Sequence, residues 1–175
     1  MHYNQVIVDS NSRIYRPVIQ SRRSEIVAWG LAIASLAGLL ILNLGGMIFF
    51  WASVFVVFIF FAALSISLGN WMDRNTQITI DDTGIIYKNG LRNLQLGWMA
   101  ITSVETNPAR WGEKVQVIAA KSHFDFNTLG EVVFQDKIQG QVGFKDGKEI
   151  LEVIVMKSGL TSVAKKGNSY YYSRP

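Results

Sequence analysis

Residues 26–72 read IVAWGLAIASLAGLLILNLGGMIFFWASVFVVFIFFAALSISLGNWM, and from Ile26 to Met72 there is no Asp, Glu, Lys or Arg. A helix that crosses a bilayer needs about 20 apolar residues, so this run is too long for one span and sufficient for two. The break falls at Asn43-Leu44-Gly45-Gly46, where paired glycines and an asparagine favour a turn. Helix one is expected at Ile26–Leu42 and helix two at Met47–Leu68. A buried helical pair in a water-soluble protein would carry a polar face on each helix, and neither segment shows one. Residues 26–72 therefore read as a transmembrane α-helical hairpin.

The flanks set its expected orientation. Arg13, Arg16, Arg22 and Arg23 precede the hairpin, Arg74 and Lys88 follow it, and the turn carries no basic residue. The positive-inside tendency then puts both termini in the cytoplasm, or in the stroma if the membrane is a thylakoid rather than a plasma membrane. Trp29 and Trp71 fall near one face and Trp51 near the other, positions that suit interfacial anchoring. A cleavable signal peptide is not expected, because its apolar stretch would be shorter and nearer the N-terminus.

The two spans differ in kind. Helix one carries Gly30, Ala34 and Gly38 at four-residue spacing, with Ala37 beside Gly38. Such a stripe lets another helix approach closely. Helix two is crowded with Phe49, Phe50, Phe55, Phe58, Phe60 and Phe61. Two arrangements follow: the stripe packs on helix two while the phenylalanines face lipid, or one face docks on other membrane-protein subunits. No ionisable residue lies within either span, so a proton or ion path is not expected.

Past Arg74 the pattern switches to short extended segments between turns. Thr76–Asp81 alternates as a strand, and Asp82-Thr83-Gly84 supplies a turn. Ile85–Lys88 and Leu91–Trp98 flank Asn89-Gly90, a hairpin signal because both residues tolerate positive φ. Further strands are expected at Ile101–Glu105, Lys114–Ala120, His123–Phe126, Glu131–Gln135 and Gln141–Phe144. Lys148–Lys157 then has an apolar helical face of Ile150, Leu151 and Ile154, with Gly159 as its stop.

The stretch Ile78-Thr79-Ile80, Gly84-Ile85-Ile86-Tyr87, Gly90, Trp98 and Ile101 to Val104 resembles the opening of bacterial pleckstrin-homology-like domains, which commonly follow a pair of membrane spans. The segments Phe124-Asp125-Phe126-Asn127-Thr128-Leu129-Gly130-Glu131 and Gly143-Phe144-Lys145-Asp146-Gly147 resemble short membrane proteins of cyanobacteria. In architecture alone the chain is also similar to the photosystem I assembly proteins of cyanobacteria and plastids. The resemblance implies an α+β domain at 75–160, a pleckstrin-homology-like antiparallel β-barrel with one C-terminal helix. One departure matters: lipid-reading members place basic residues around the first hairpin loop, and here that loop is Asp81-Asp82-Thr83-Gly84. Phosphoinositide recognition is therefore not expected.

Little in the chain points to a reaction. There is no cysteine, which excludes disulfides and thiolate chemistry. His123 and Asp125 would share a strand face, but a two-residue pair lacks the ligands for zinc. Asp81, Asp82, Asp146 and Gly147 read as turn residues. No catalytic activity, cofactor or metal is expected. The net charge of +4 resides in the arms, +2 over residues 1–25 and +3 over 161–175, while 75–160 is −1. A nucleic-acid binder would concentrate charge on its folded domain, so no nucleic acid is expected. The end, residues 161–175, mixes Lys165 and Lys166 with Tyr170, Tyr171 and Tyr172 without periodicity. It reads either as a disordered tail or as a segment lying on anionic lipid or in a partner's groove. The expected function is a non-catalytic membrane scaffold, an assembly factor or accessory subunit of a larger complex. Its expected partners are the bilayer and other membrane-protein subunits, with photosystem subunits the specific candidates; the alternative is a lipid- or envelope-sensing protein.

Overall fold

The computed structural model describes residues 12–19, 21–45, 50–134 and 137–175. The chain divides into two compact units: residues 19–74 form one, and the chain on either side of them forms the other.

The first unit is helical. Helix α1 spans Arg23–Leu44 and α2 spans Phe50–Asn75. The expected turn at Asn43-Leu44-Gly45-Gly46 begins two residues late, because Asn43 and Leu44 close α1 and Gly45 is its C-cap; Gly46, Met47 and Phe49 lie outside the described residues. Both helices outrun the uncharged stretch at their domain-side ends, α1 by starting at Arg23 and α2 by continuing to Asn75. Polar side chains there bond between the helices, so the chain stays helical beyond its apolar part. Each helix is long and apolar enough to cross a membrane, yet only 6% and 11% of their most apolar windows are buried. A core helix of a soluble domain would be mostly buried; here Ile33, Ile41 and Phe58 point outward.

The second unit is α+β. Strand β1 is Arg13–Tyr15, β2 Thr76–Ile80, β3 Gly84–Asn89 and β4 Asn93–Gly97, and these form one antiparallel sheet in the order β1-β2-β3-β4. A short 3-10 turn, Trp98–Ala100, leads to β5 (Ile101–Pro108), β6 (Glu113–Ala119) and β7 (Ser122–Asn127). A two-stranded ribbon follows, β8 (Gly130–Phe134) with β9 (Lys137–Val142). Helix α3, Gly147–Lys157, precedes β10 (Ser162–Lys166) and β11 (Ser169–Ser173). The second sheet has the order β10-β11-β5-β6-β7.

Local chemistry explains the turns. Asn89 Oδ1 accepts from the backbone N–H groups of Leu91 and Arg92 and Gly90 takes φ 79°, but Asn89 closes β3 with its N–H on the Arg92 carbonyl, so the chain turns at Gly90-Leu91 and not at the expected Asn89-Gly90. Helix α3 ends in a Schellman arrangement: Gly159 adopts φ 66°, and Leu160 N–H reaches back to the Val155 carbonyl. Period-2 alternation then builds the core. Ile78, Ile80, Ile85 and Leu96 of the first sheet meet Val104, Val115, Val117, Phe124 and Phe126 of the second, with Ile150 and Ile154 of α3 in the same cluster.

Two expectations need correction. The strands do not close into a barrel: among the described residues the ladders leave three separate sheets. The chain passes from β4 to β5 through the Trp98–Ala100 turn, and β7 ends at Asn127, after which Thr128 bridges to Phe144 instead of extending a ladder. Residues 161–175 are not an aperiodic tail but a β-hairpin turning at Gly167 (φ 63°), and β11 pairs with β5 from Ser173↔Ser103 to Tyr170↔Thr106. The N-terminal arm likewise contributes β1, so the folded domain reaches past residues 75–160 on both sides.

Candidate functional site

On the hairpin, the packing between helices is made by one face of each. Ala32 of α1 and Val56 and Ala63 of α2 are the buried residues. Trp29 donates its indole N–H to Ser67 Oγ at 2.8 Å and meets Phe60 edge-on at 6.0 Å. Trp29 is thus an interhelical contact, whereas Trp51 is exposed. The Ser67 hydroxyl donates to Glu25 Oε1 at 3.0 Å, and Asn70 and Arg74 donate to Glu25 Oε2 at 3.3 and 2.8 Å. Glu25 and Arg74 are about three-quarters buried as a pair. This clamp was missed from sequence, although Ser67, Asn70 and Arg74 at three- and four-residue spacing mark a polar stripe on one face of α2.

The small-residue stripe does not face α2. At about 100° per residue, Gly30, Ala34 and Gly38 lie roughly 160–240° around α1 from Ala32. All three are exposed, and a Cβ built on Gly30 or Gly38 meets nothing within 4 Å. The arrangement in which the stripe packs against helix two is therefore overturned: Ala32 and Ala63 provide the close approach instead. Phe50, Phe55, Phe58 and Phe61 are exposed, whereas Phe60 packs against Trp29. Between the helices, Leu36, Leu39, Ser53, Val57, Phe61 and Leu64 line a groove of about 320 Å³.

In the domain, the first loop is held from within. Asp81 Oδ1 accepts from Thr83 N–H, Thr83 hydroxyl and Gly84 N–H, each at 2.7 Å. Burial pushes this carboxyl upward, but those donors, with Lys157 nearby, outweigh it and hold it below its ordinary value. Lys157 Nζ pairs with Asp82 at 3.1 Å and sits 5.5 Å over the Trp98 ring, whose indole N–H donates to the Asp82 carbonyl. Asp81 and Asp82 are thus turn and packing residues. His123 and Asp125 do share the outer face of β7, but Asp125 pairs with Lys114 at 2.9 Å.

The three tyrosines separate. Tyr172 turns toward the core, and Tyr171 lies opposite Glu105, whose carboxylate, hydrogen-bonded to the phenol, holds that hydroxyl above its ordinary pKa. Tyr170 is exposed, with Lys165 Nζ 5.4 Å over its ring. Lys165 and Lys166 lie on β10, all of whose residues are exposed. Arg174 donates to the carbonyls of Trp98 and Met99 and pins the end of the hairpin. No known protein family, curated protein or solved structure matches the chain.

Proposed function

We propose that this chain is a non-catalytic integral membrane scaffold, an assembly factor or accessory subunit of a larger membrane complex. The observation that carries the reading is the open face of α1. Lipid gives helices no hydrophobic reason to associate, so close backbone approach along small residues is a principal route to specific contact. Gly30, Ala34 and Gly38 offer that approach on the side turned away from α2, where no side chain fills the space. The exposed phenylalanines of α2 suit lipid.

Other features support the same reading. Strand β1, before α1, pairs with β2, directly after α2, which favours both ends of the hairpin lying on one side of the membrane; the arginines favour the cytoplasmic or stromal side. The order of antiparallel strands followed by α3 supports a pleckstrin-homology-like ancestry for the domain. Its first loop is acidic and already engaged by Lys157, which favours protein contact over recognition of anionic headgroups. The resemblance to cyanobacterial membrane proteins points to photosystem biogenesis in a thylakoid.

Gly38→Leu tests the proposal. The substitution has room in the hairpin itself, so abundance should stay normal while co-migration with a larger complex on native gels after gentle extraction is lost. Normal abundance with normal co-migration would remove this face as the docking surface.

A further inference from the structure

We infer that β10 is a docking edge that accepts an extended, acidic segment of a protein partner as an added strand. The inference rests on the scaffold reading and names the chemistry of the partner.

The first ground is the state of the edge. β10 ends the five-stranded sheet, bonds to β11 alone, and is exposed along all five residues. The opposite edge, β7, buries Phe124 and Phe126, and its His123 carbonyl accepts from Arg92 at 3.4 Å. In the first sheet β1 is three residues long, with Arg13 and Tyr15 held by Glu149. Natural edges are commonly blunted by lysines, a bulge, a proline or a covering segment. The β10–β11 register runs unbroken from Ser162↔Ser173 to Lys166↔Ser169, without bulge or proline. Lys165, which could guard the edge, leans back over Tyr170 of β11.

The second ground is charge. There is no Asp or Glu from Val153 to Pro175. Among the described residues, neither Lys165 nor Lys166 makes an ion pair. Adjacent strand residues point to opposite faces, so these lysines present one cation on each side of the sheet. The matching segment has two adjacent acidic residues flanked by β-branched ones, its backbone bonding to β10 and one carboxylate set across from each lysine. An anionic lipid surface could meet the lysines but not the row of backbone N–H and C=O groups.

The test uses the full chain in phosphatidylcholine nanodiscs and the acetylated, amidated peptide TVEDVT. Amide exchange of residues 162–166 should slow at least tenfold with this peptide and not with TVKKVT. Two versions of TVEDVT, N-methylated at alternate backbone nitrogens in opposite frames, should differ: one frame blocks strand addition and loses protection, the other keeps it. In the Lys165→Glu/Lys166→Glu chain the preference should reverse to TVKKVT. Absence of protection, equal behaviour of both methylated frames, or protection that needs no peptide and appears only in a parallel set of nanodiscs containing phosphatidylglycerol would overturn the inference. The two readings fail separately. A chain that co-migrates with a complex yet shows no protection sinks strand addition alone. A chain that shows protection but belongs to no complex sinks the scaffold.

Discussion

Gly84 opens β3 opposite Gly97, where a Cβ would overlap the Leu96 carbonyl oxygen and come within 2.9 Å of the Gly97 Cα. Gly30 on α1 has no atom within 4 Å of the same hypothetical carbon. The two glycines look alike as letters, and their substitutions should behave oppositely. Gly84→Ala forces β3 and β4 apart and is expected to cost about 1–3 kcal/mol. Gly30→Ala should be neutral or mildly stabilising, since alanine is favoured over glycine in a helix by roughly 0.5–1 kcal/mol. Thermal unfolding of the full chain in detergent, followed through the domain's amide exchange for Gly84 and through helicity for Gly30, checks both. An unchanged midpoint for Gly84→Ala would mean the β3–β4 contact is looser than the structure has it.

Among the elements, the hairpin and the last two strands carry the clearest tests. Removing one side of the Glu25–Arg74 pair leaves the other without its charge partner and is destabilising. Arg74→Gln should therefore lower hairpin stability in detergent, and Glu25→Gln/Arg74→Gln should recover part of it; a double-variant loss equal to the sum of the two single losses would show that the pair is not coupled. Ending the chain at residue 161 removes β10 and β11, bares β5, and takes Tyr172 from the core. Such a chain should lose protected amides in β5 and β6, whereas a solvating tail could be cut without effect. These elements also show what was legible in the sequence. Asn89-Gly90, the alternation in Thr76–Ile80 and the apolar face of α3 each stem from a local rule, and the corresponding elements formed within a few residues of expectation. β11 was hidden because Tyr170, Tyr171 and Tyr172 put an aromatic ring on both faces and erased the alternation that marks a strand. The stripe on α1 was visible, but its direction was not. Direction depends on which face α2 occupies, and that is decided by Trp29 and Glu25 meeting Ser67 and Arg74, which lie far along the chain.

At the scale of the whole molecule, a hairpin flanked by paired strands makes a definite claim about sidedness. Cysteine placed at Asn43 should react only with an impermeant reagent added from outside the cytoplasm or from the lumen, and cysteine at Lys165 only from the opposite side. The reverse pattern would invert the orientation, and reaction of both from one side would remove the hairpin. The discontinuous domain has a further consequence, in the order of synthesis. β1 leaves the ribosome first, yet its partner β2 follows only after both helices. Arg13 and Tyr15 also bond to Glu149, 136 and 134 residues later. β5 in turn waits for β11. If the hairpin crosses a membrane as proposed, β1 and β2 can pair only when both of its ends lie on the same side. A nascent chain with one helix inserted and the other left behind would hold β1 and β2 on opposite sides of the bilayer, unable to pair, and would present quality-control proteases with an unfinished sheet.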